Sequence, residues 1–348
     1  MDMYITCKSI FKKFKLFFYK TRYFWYKFLL TILTMFLTII LSFILIKNLP
    51  GDIVYNYALT LQGSLKISFD EAYRLAVNLI NYNPDQNIIA SFFSYLNGLI
   101  NGNLGQSIYM DTVTANSIIK EYLPWTLLIS SISLFLSFFI GTRMGIKMAR
   151  KREGVTDTVF TGIVTITNSI PDYLLGIILL MYLGSSLGLF PTYGAYSLAS
   201  KKDPLEYIFS ILHHAALPII TYTIAQIGNW ALLSKGSTVA VLGDDYVNAA
   251  IARGLPKRVI DKKYLKRNAM LPLITSLVIS FAYLFGGSAV MESVFSYPGI
   301  GKAFTTYIGK RDYFVVQGLF VFLSILIILA NLIADFVCGL LDPRIRNK

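Results

Sequence analysis

Residues 28–46 read FLLTILTMFLTIILSFILI. The run contains no charged residue, and it matches the roughly 20 apolar residues that a helix needs to cross the hydrocarbon core of a bilayer. It is longer than the apolar part of a signal peptide, and no small-residue cleavage site follows it. We therefore predict that it is a retained transmembrane helix.

Five further apolar runs follow the first. None contains a Lys or Arg, each of which would oppose insertion at a helix centre by about 3 kcal/mol. The runs are residues 123–141, 158–190, 211–234, 269–291 and 314–341, and the second of these five is interrupted by Pro171 and Asp172. Only 15% of the 348 residues are charged, against roughly 25% in a soluble domain. The sequence predicts an all-α polytopic membrane protein with six transmembrane helices.

The basic residues indicate which side of the membrane each loop occupies. Of the 32 Lys and Arg, 23 fall in residues 1–27, 142–156, 235–268 and the tail after 341. Cytoplasmic loops carry such an excess, so we place both termini in the cytoplasm. The same bias accounts for the net charge of +13 without a nucleic-acid partner.

These assignments predict a linear organisation of the chain. A cytoplasmic basic N-terminus (1–27) precedes the first transmembrane helix (28–46). Residues 47–122 form a small, mostly helical extracytoplasmic segment, in which Phe69 to Ile80 is amphipathic. A five-helix core (123–341) contains a long cytoplasmic loop (235–268), and a cytoplasmic tail (342–348) ends the sequence.

The cytoplasmic loop contains a short helix with clear start and stop signals. Residues 243–274 read GDDYVNAAIARGLPKRVIDKKYLKRNAMLPLI. Asp244 and Asp245 suit an N-cap and first turn, because a carboxylate accepts hydrogen bonds from free backbone N–H groups and its negative charge suits the positive helix end. Gly254 can take the left-handed conformation that ends a helix, and Pro256 prevents its continuation. We predict a helix from Tyr246 to Arg253.

Small residues on this helix suggest a role in contact with another protein. Ala249 and Ala250 would let a second backbone approach closely, and a helix lying in a partner's groove is a common recognition mode. An interfacial amphipathic helix that only anchors the loop is the alternative. The residues alone leave both interpretations open.

Two acidic residues are candidates for a substrate path. Asp172 follows Pro171 within a long apolar run, and an acid inside the membrane is a functional candidate. It is equally suited to cap the helix that restarts after the proline. Glu292 ends the fifth span, where it either lines the path or is simply hydrated.

The sequence lacks the residue patterns of an ATPase or a metal site. No G-x-x-x-x-G-K-[ST] phosphate loop occurs, and the two cysteines, Cys7 and Cys338, are too far apart in sequence for a C-x-x-C zinc motif. No catalytic constellation stands out, so we predict no enzymatic activity, no metal and no cofactor bound by this chain.

The cytoplasmic loop resembles a known family signature. In inner-membrane permease subunits of binding-protein-dependent ATP-binding-cassette (ABC) importers, the signature is Glu-Ala-Ala, three residues, Gly and a later Leu-Pro. Here Ala249, Ala250, Gly254 and Leu271-Pro272 match, while Asn248 stands at the Glu position.

Other segments resemble the oligopeptide and dipeptide branch of that family and its nickel relatives. Matching stretches occur in the same order along nearly the whole chain. They are residues 49–52 (LPGD), 102–107 (GNLGQS), 123–127 (LPWTL), 245–247 (DYV), 267–269 (RNA), 292–301 (ESVFSYPGIG), 311–313 (RDY), 317–318 (QG) and 341–344 (LDPR).

The resemblance implies a mechanism and a set of partners. Two permeases would pair, two ATPase subunits holding ATP and Mg would each receive a loop helix, and an extracytoplasmic binding protein would deliver the peptide. The docking residues implied are Asp245, Tyr246, Ala249, Ala250, Arg253, Gly254 and Leu255. Alternatives are a nickel, metal-chelate or glutathione cargo, a stand-alone secondary transporter, and a membrane enzyme.

Overall fold

The computed structural model describes residues 25–45, 48, 53–80, 87–109, 112–152, 154–286 and 289–341. The predicted N-terminus up to residue 24, the 49–52 motif and the tail 342–348 lie outside the described residues. Regular structure in the described part is helical, apart from one β-bridge between Gln106 and Thr114. The all-α prediction is confirmed.

Fourteen α-helices are described, two of which continue directly into π-helical turns. They are α1 (Trp25–Leu45), α2 (Ile53–Leu65), α3 (Phe69–Ile80), α4 (Ile88–Ile100), α5 (Ala115–Arg150), α6 (Val155–Ser169), α7 (Asp172–Leu179, then π-helical Leu180–Ser186), α8 (Pro204–Leu242), α9 (Asp245–Ala252), α10 (Lys257–Val259, then π-helical Ile260–Leu265), α11 (Lys266–Tyr283), α12 (Ala289–Val294), α13 (Ile300–Gly309) and α14 (Tyr313–Leu341). Short 3₁₀ turns cover Leu198–Lys202 and Leu284–Gly286.

Five helical stretches in the described residues are long and apolar enough to cross a membrane. They are α1, α5, α8, the continuous stretch Lys257–Gly286, and α14. The predicted third span is instead two helices, α6 and α7, bent by 95°. Ile170 is extended before Pro171, because proline disfavours the helical conformation in the residue that precedes it. The count of six spans stays a prediction, since it requires the bent pair to be one span.

The centre of the fold is the pair α5 and α8, whose backbones approach closely. α5 starts at a capping box in which Thr114 and Ser117 satisfy each other's backbone N–H groups. A Cβ at Gly141 or Gly145 would overlap the α8 backbone near Ile227 and Ala231. Both helices extend well beyond the predicted apolar runs 123–141 and 211–234, so α5 and α8 also form structure outside the bilayer core.

The segment after α1 has a hydrophobic core of its own. α2 and α3 pack as a hairpin around Val54, Ala58, Ala72 and Ala76, all fully buried. α3 has the bounds predicted for the amphipathic stretch, and Ser68 and Glu71 form a capping box at its start. The uncharged α4 packs Phe92 against Phe36 and Phe43 of α1.

Candidate functional site

The loop helix α9 forms one residue earlier than the predicted Tyr246 to Arg253, over Asp245–Ala252. Asp244 is at the N-cap position and Asp245 lies in the first turn, but the Asp244 side chain makes no capping hydrogen bond. Gly254 has φ +68°, and the N–H of Leu255 donates to the carbonyl oxygen of Ala250 at 3.3 Å. The N–H of Gly254 donates to Ile251 O at 2.9 Å, which completes a Schellman motif. The helix is therefore ended by its own residues and needs no partner to define it.

One face of α9 packs on the rest of the chain. Val247 (0% exposed) and Ala250 (3% exposed) contact a cluster that includes Ile260, Leu265 and Ala269. Burying this apolar face fixes the helix against the two elements that follow it. Ala250 therefore faces the chain's own interior and does not present the small surface to a partner that we expected of it.

The opposite face of α9 is open. Ile251 is 57% exposed and Tyr246 39% exposed, and Ala249 and Arg253 are also exposed. Tyr246, Ala249 and Arg253 share one side of α9 through their i, i+3, i+7 spacing, and tyrosine and arginine are typical of residues that anchor protein interfaces.

Polar contacts tie α9 to the start of α11. The side-chain amide of Asn268 donates to the Tyr246 hydroxyl at 2.8 Å and to Tyr264 O at 3.1 Å. The rings of Tyr246 and Tyr264 are stacked, with centroids 6.5 Å apart. Asp261, in the π-helical turn before α11, forms an ion pair with Arg150 at the end of α5 at 3.2 Å. A push on α9 would therefore reach both α5 and α11.

The two acidic candidates lie in different surroundings. Asp172 is exposed in the first turn of α7, directly after the 95° bend. The N-cap is Pro171, and no side chain caps the helix, so Asp172 does not serve as a hydrogen-bonded cap.

Glu292 is neither hydrated nor open to a passage in this chain, because only 1% of it is exposed. Its carboxylate accepts hydrogen bonds from the Thr126 hydroxyl at 2.8 Å and from the backbone N–H of Lys302 at 2.9 Å. Thr126 in turn accepts from the N–H of Ile300 at 2.8 Å. Glu292 therefore joins α5, α12 and the start of α13, and its hydrated interpretation is wrong.

A second buried carboxylate was missed by the sequence reasoning. Asp312 is fully buried, and its carboxylate accepts from the Ser107 hydroxyl at 2.5 Å. Burial raises the pKa of Asp312 above its ordinary value, opposed by the hydrogen bond from Ser107. Both residues lie in stretches that resemble the family, but 205 positions separate them, so no local pattern predicts their contact.

Among the described residues, no group of three or more His, Cys, Asp or Glu side chains is placed to hold a metal ion. The described residues form a helical membrane bundle with a short, half-exposed helix between two of its spans.

Comparison with known proteins gives the family. Residues 139–347 match the family described as binding-protein-dependent transport system inner membrane component. The oligopeptide transport system permease protein AppB of Bacillus subtilis (strain 168) is 31% identical over 310 residues, which cover 88% of this chain and 93% of AppB. The glutathione transport system permease protein GsiC of Escherichia coli O6:H1 is 30% identical over 310 residues, with the same two coverages.

A solved structure shows the same fold. An inward-facing conformation of the MetNI methionine ABC transporter superposes with a TM-score of 0.51 at 21% identity, and the match covers 65% of this chain and 96% of that chain.

The chain belongs to the family of binding-protein-dependent transport system inner membrane components. It is a permease subunit of an ABC importer of the peptide and glutathione branch, and a multi-pass protein of the bacterial plasma membrane. The resemblance stated from its motifs is confirmed, and the alternative of a stand-alone secondary transporter is wrong.

Proposed function

We propose that this chain forms one half of the translocation pathway of an importer for oligopeptides or dipeptides, driven by ATP hydrolysis in partner subunits. The observation that carries the proposal is α9, a short helix with one face buried in its own chain and the other open. A second permease, two ATPases that bind ATP and Mg, and an extracytoplasmic binding protein complete the assembly. Nucleic acid has no part in it.

In this proposal α9 is the contact through which the ATPase moves the membrane helices. Asp245, Tyr246, Ala249 and Arg253 provide the face that enters a cleft on the ATPase. Ala250, Gly254 and Leu255 act indirectly, since they fix the position and the end of the helix. When ATP draws the ATPases together, the attached α5 and α11 are pulled with α9, and the bundle changes between two arrangements.

The cargo is proposed from the names of the relatives. AppB is an oligopeptide permease, and the dipeptide transport system permease protein DppB of Bacillus subtilis (strain 168) is 29% identical over 306 residues. GsiC is a glutathione permease, so glutathione, itself a small peptide, is the second candidate. Neither the described residues nor these relatives favour nickel or a metal chelate.

The topology is proposed from the distribution of basic residues, with both termini in the cytoplasm and α9 on the cytoplasmic face. In a variant with Cys7 and Cys338 replaced by Ser, a cysteine introduced at Lys257, just after α9, should react with a membrane-impermeant maleimide only in inverted vesicles. Reaction in intact cells would overturn this orientation.

Asp172 remains a proposed path residue because it is exposed at the bend between α6 and α7. If the acid meets the substrate, Asp172→Asn should change the rate of peptide uptake while the amount of assembled complex stays constant. Unchanged uptake kinetics would assign Asp172 a structural role at the bend.

The proposed function is tested by purifying the tagged chain from solubilised native membranes and identifying its partners by mass spectrometry. A second permease and one or two ATPases should co-purify, and the reconstituted complex with its binding protein should import peptide only when ATP is present. A chain that purifies alone and stable would contradict the docking role of α9.

A further inference from the structure

A cavity of about 240 Å³ opens between the transmembrane helices α5, α8 and α11. Five of its seven lining residues have uncharged side chains that can form hydrogen bonds, namely Ser130, Ser280, Tyr222, Tyr283 and Gln226. Ser130 and Tyr222 lie near the midpoints of α5 and α8. Burying hydrogen-bonding groups at the depth of the hydrocarbon core costs free energy unless they find partners. Their convergence on one cavity therefore indicates a functional role for the cavity.

The lining residues differ in exposure. Tyr222 (7% exposed) and Ser130 (9% exposed) are buried, whereas Tyr283 is 62% exposed. We infer that the cavity opens beside Tyr283, where a second permease would complete the enclosure in a paired importer.

The lining carries no formal charge. The remaining lining residues are Leu134 and Leu284, and neither Asp172 nor Glu292 borders the cavity. A metal cation would find none of the carboxylate, imidazole or thiolate ligands that hold it in proteins.

We propose that this cavity is the part of the substrate path contributed by this chain, and that it binds the uncharged main-chain amides of a passing peptide. The proposal rests on the proposed function. Hydroxyls, phenols and the Gln226 amide both donate and accept hydrogen bonds, which matches the N–H and C=O groups that every peptide repeats. Because the lining is neutral, it does not select among charged peptide side chains, and selection falls to the binding protein.

Two substitutions at Gln226 test this assignment in the complete importer, reconstituted in liposomes with its binding protein. Gln226→Glu adds a charge to the lining, and Gln226→Leu removes its hydrogen bonds at similar volume. Gln62→Glu makes the same chemical change in α2, outside the cavity, and serves as the matched control. The probes are the tripeptides Ala-Ala-Ala, Ala-Lys-Ala and Ala-Glu-Ala. For each variant, the ratio of the uptake rates of two peptides is divided by the same ratio measured for the wild type.

With Gln226→Glu, uptake of Ala-Lys-Ala relative to Ala-Glu-Ala should rise about fivefold or more, because a fixed negative charge in the path favours the cation. Gln226→Leu should slow all three peptides by about threefold or more and leave their ratios unchanged. Gln62→Glu should match the wild type in rate and ratio.

Wild-type rates and ratios in both Gln226 variants would overturn the assignment of the cavity. If Gln226→Glu does not assemble, Gln226→Leu decides the question alone, and an unchanged rate for that variant counts against the proposal. A wild-type complex that hydrolyses ATP but imports none of the three peptides would instead overturn the proposed peptide cargo, which is a separate failure.

Discussion

The two ends of this permease are held together by different kinds of polar contact. At the end proposed to face outward, Glu292 and Asp312 are buried carboxylates that accept hydrogen bonds from distant segments. At the opposite end the chain uses ion pairs between neighbouring helical segments. Lys27–Asp335 at 2.8 Å and Arg150–Asp261 at 3.2 Å are partly exposed, whereas Lys235–Asp157 at 2.6 Å has a buried aspartate.

This difference in burial predicts a difference in rigidity. A buried, hydrogen-bonded carboxylate loses much when a partner is removed, because the donors left behind are unsatisfied. A partly exposed ion pair contributes little, since solvent screens it and two long side chains must be ordered. We infer that the helices keep their relative positions at the outer end. At the inner end an ATPase can move them at low energetic cost.

Replacing Glu292 by Ala should have the largest effect on stability, lowering the free energy of unfolding by about 3 kcal/mol. The reason is that the Thr126 hydroxyl and the Lys302 N–H would both lose their acceptor in a buried site. Thermal unfolding of the purified complex in detergent measures the change. Asp335→Ala is the matched control at the inner end, where removing the Lys27 partner should cost less than about 1 kcal/mol. Equal losses in the two variants would remove the distinction between the ends.

The close packing of α5 and α8 should give the second largest effect. Gly145→Ala places a methyl group where the Ala231 carbonyl and the Ser234 side chain already lie, so we expect a loss of about 1–3 kcal/mol. Gly236→Ala is the control on α8, because nothing lies within 4 Å of the added Cβ and alanine favours a helix. If both variants unfold at the wild-type temperature, the close approach of α5 and α8 does not limit the stability of the fold.

A charge on the open face of α9 should affect coupling and leave stability unchanged. Ala249→Asp should reduce ATP-dependent uptake about tenfold, because this exposed position would place an unpaired carboxylate in the ATPase cleft. The unfolding temperature should not change. Val155→Asp, at an 81% exposed position at the start of α6, introduces the same charge away from α9. An equal loss of uptake in the two variants would show that α9 is not a specific docking element.

Parts of this structure could be predicted from sequence because their causes are local. The end of α9 follows from Gly254 and Pro256, and the bend after α6 follows from Pro171. Those signals act within a few residues of where they stand. Residue type alone does not give the orientation of a helix in its surroundings, which is why Ala249 and Ala250 looked equivalent although only one is exposed.

The buried polar contacts could not be predicted, because their partners are far apart in sequence. Thr126 and Glu292 are separated by 166 positions, and each residue alone suits a surface. Glu292 looked like a hydrated acid because charged residues are rarely fully buried. Only the packing of α5 against α12 and α13 brings its donors together.

The smallest expected effect concerns the pH dependence of the outer contact at Asp312. Burial raises the pKa of this carboxyl in the folded chain, so between its ordinary value near 3.8 and that raised value the folded state binds more protons than the unfolded state. Its contribution to the free energy of unfolding therefore increases as pH falls through this window and decreases as pH rises.

Asp312→Asn lacks this titration, so the difference in unfolding temperature between wild type and variant should move in favour of the wild type as pH falls toward 4. We expect a movement of less than about 2 °C, measured in detergent. Asp335→Asn is the control at the inner end, where the ion pair with Lys27 is partly exposed. A difference that moves in favour of the variant on acidification would mean that the ionised form of Asp312 is the one the fold stabilises. In that case the outer end would depend on charge, as the inner end does.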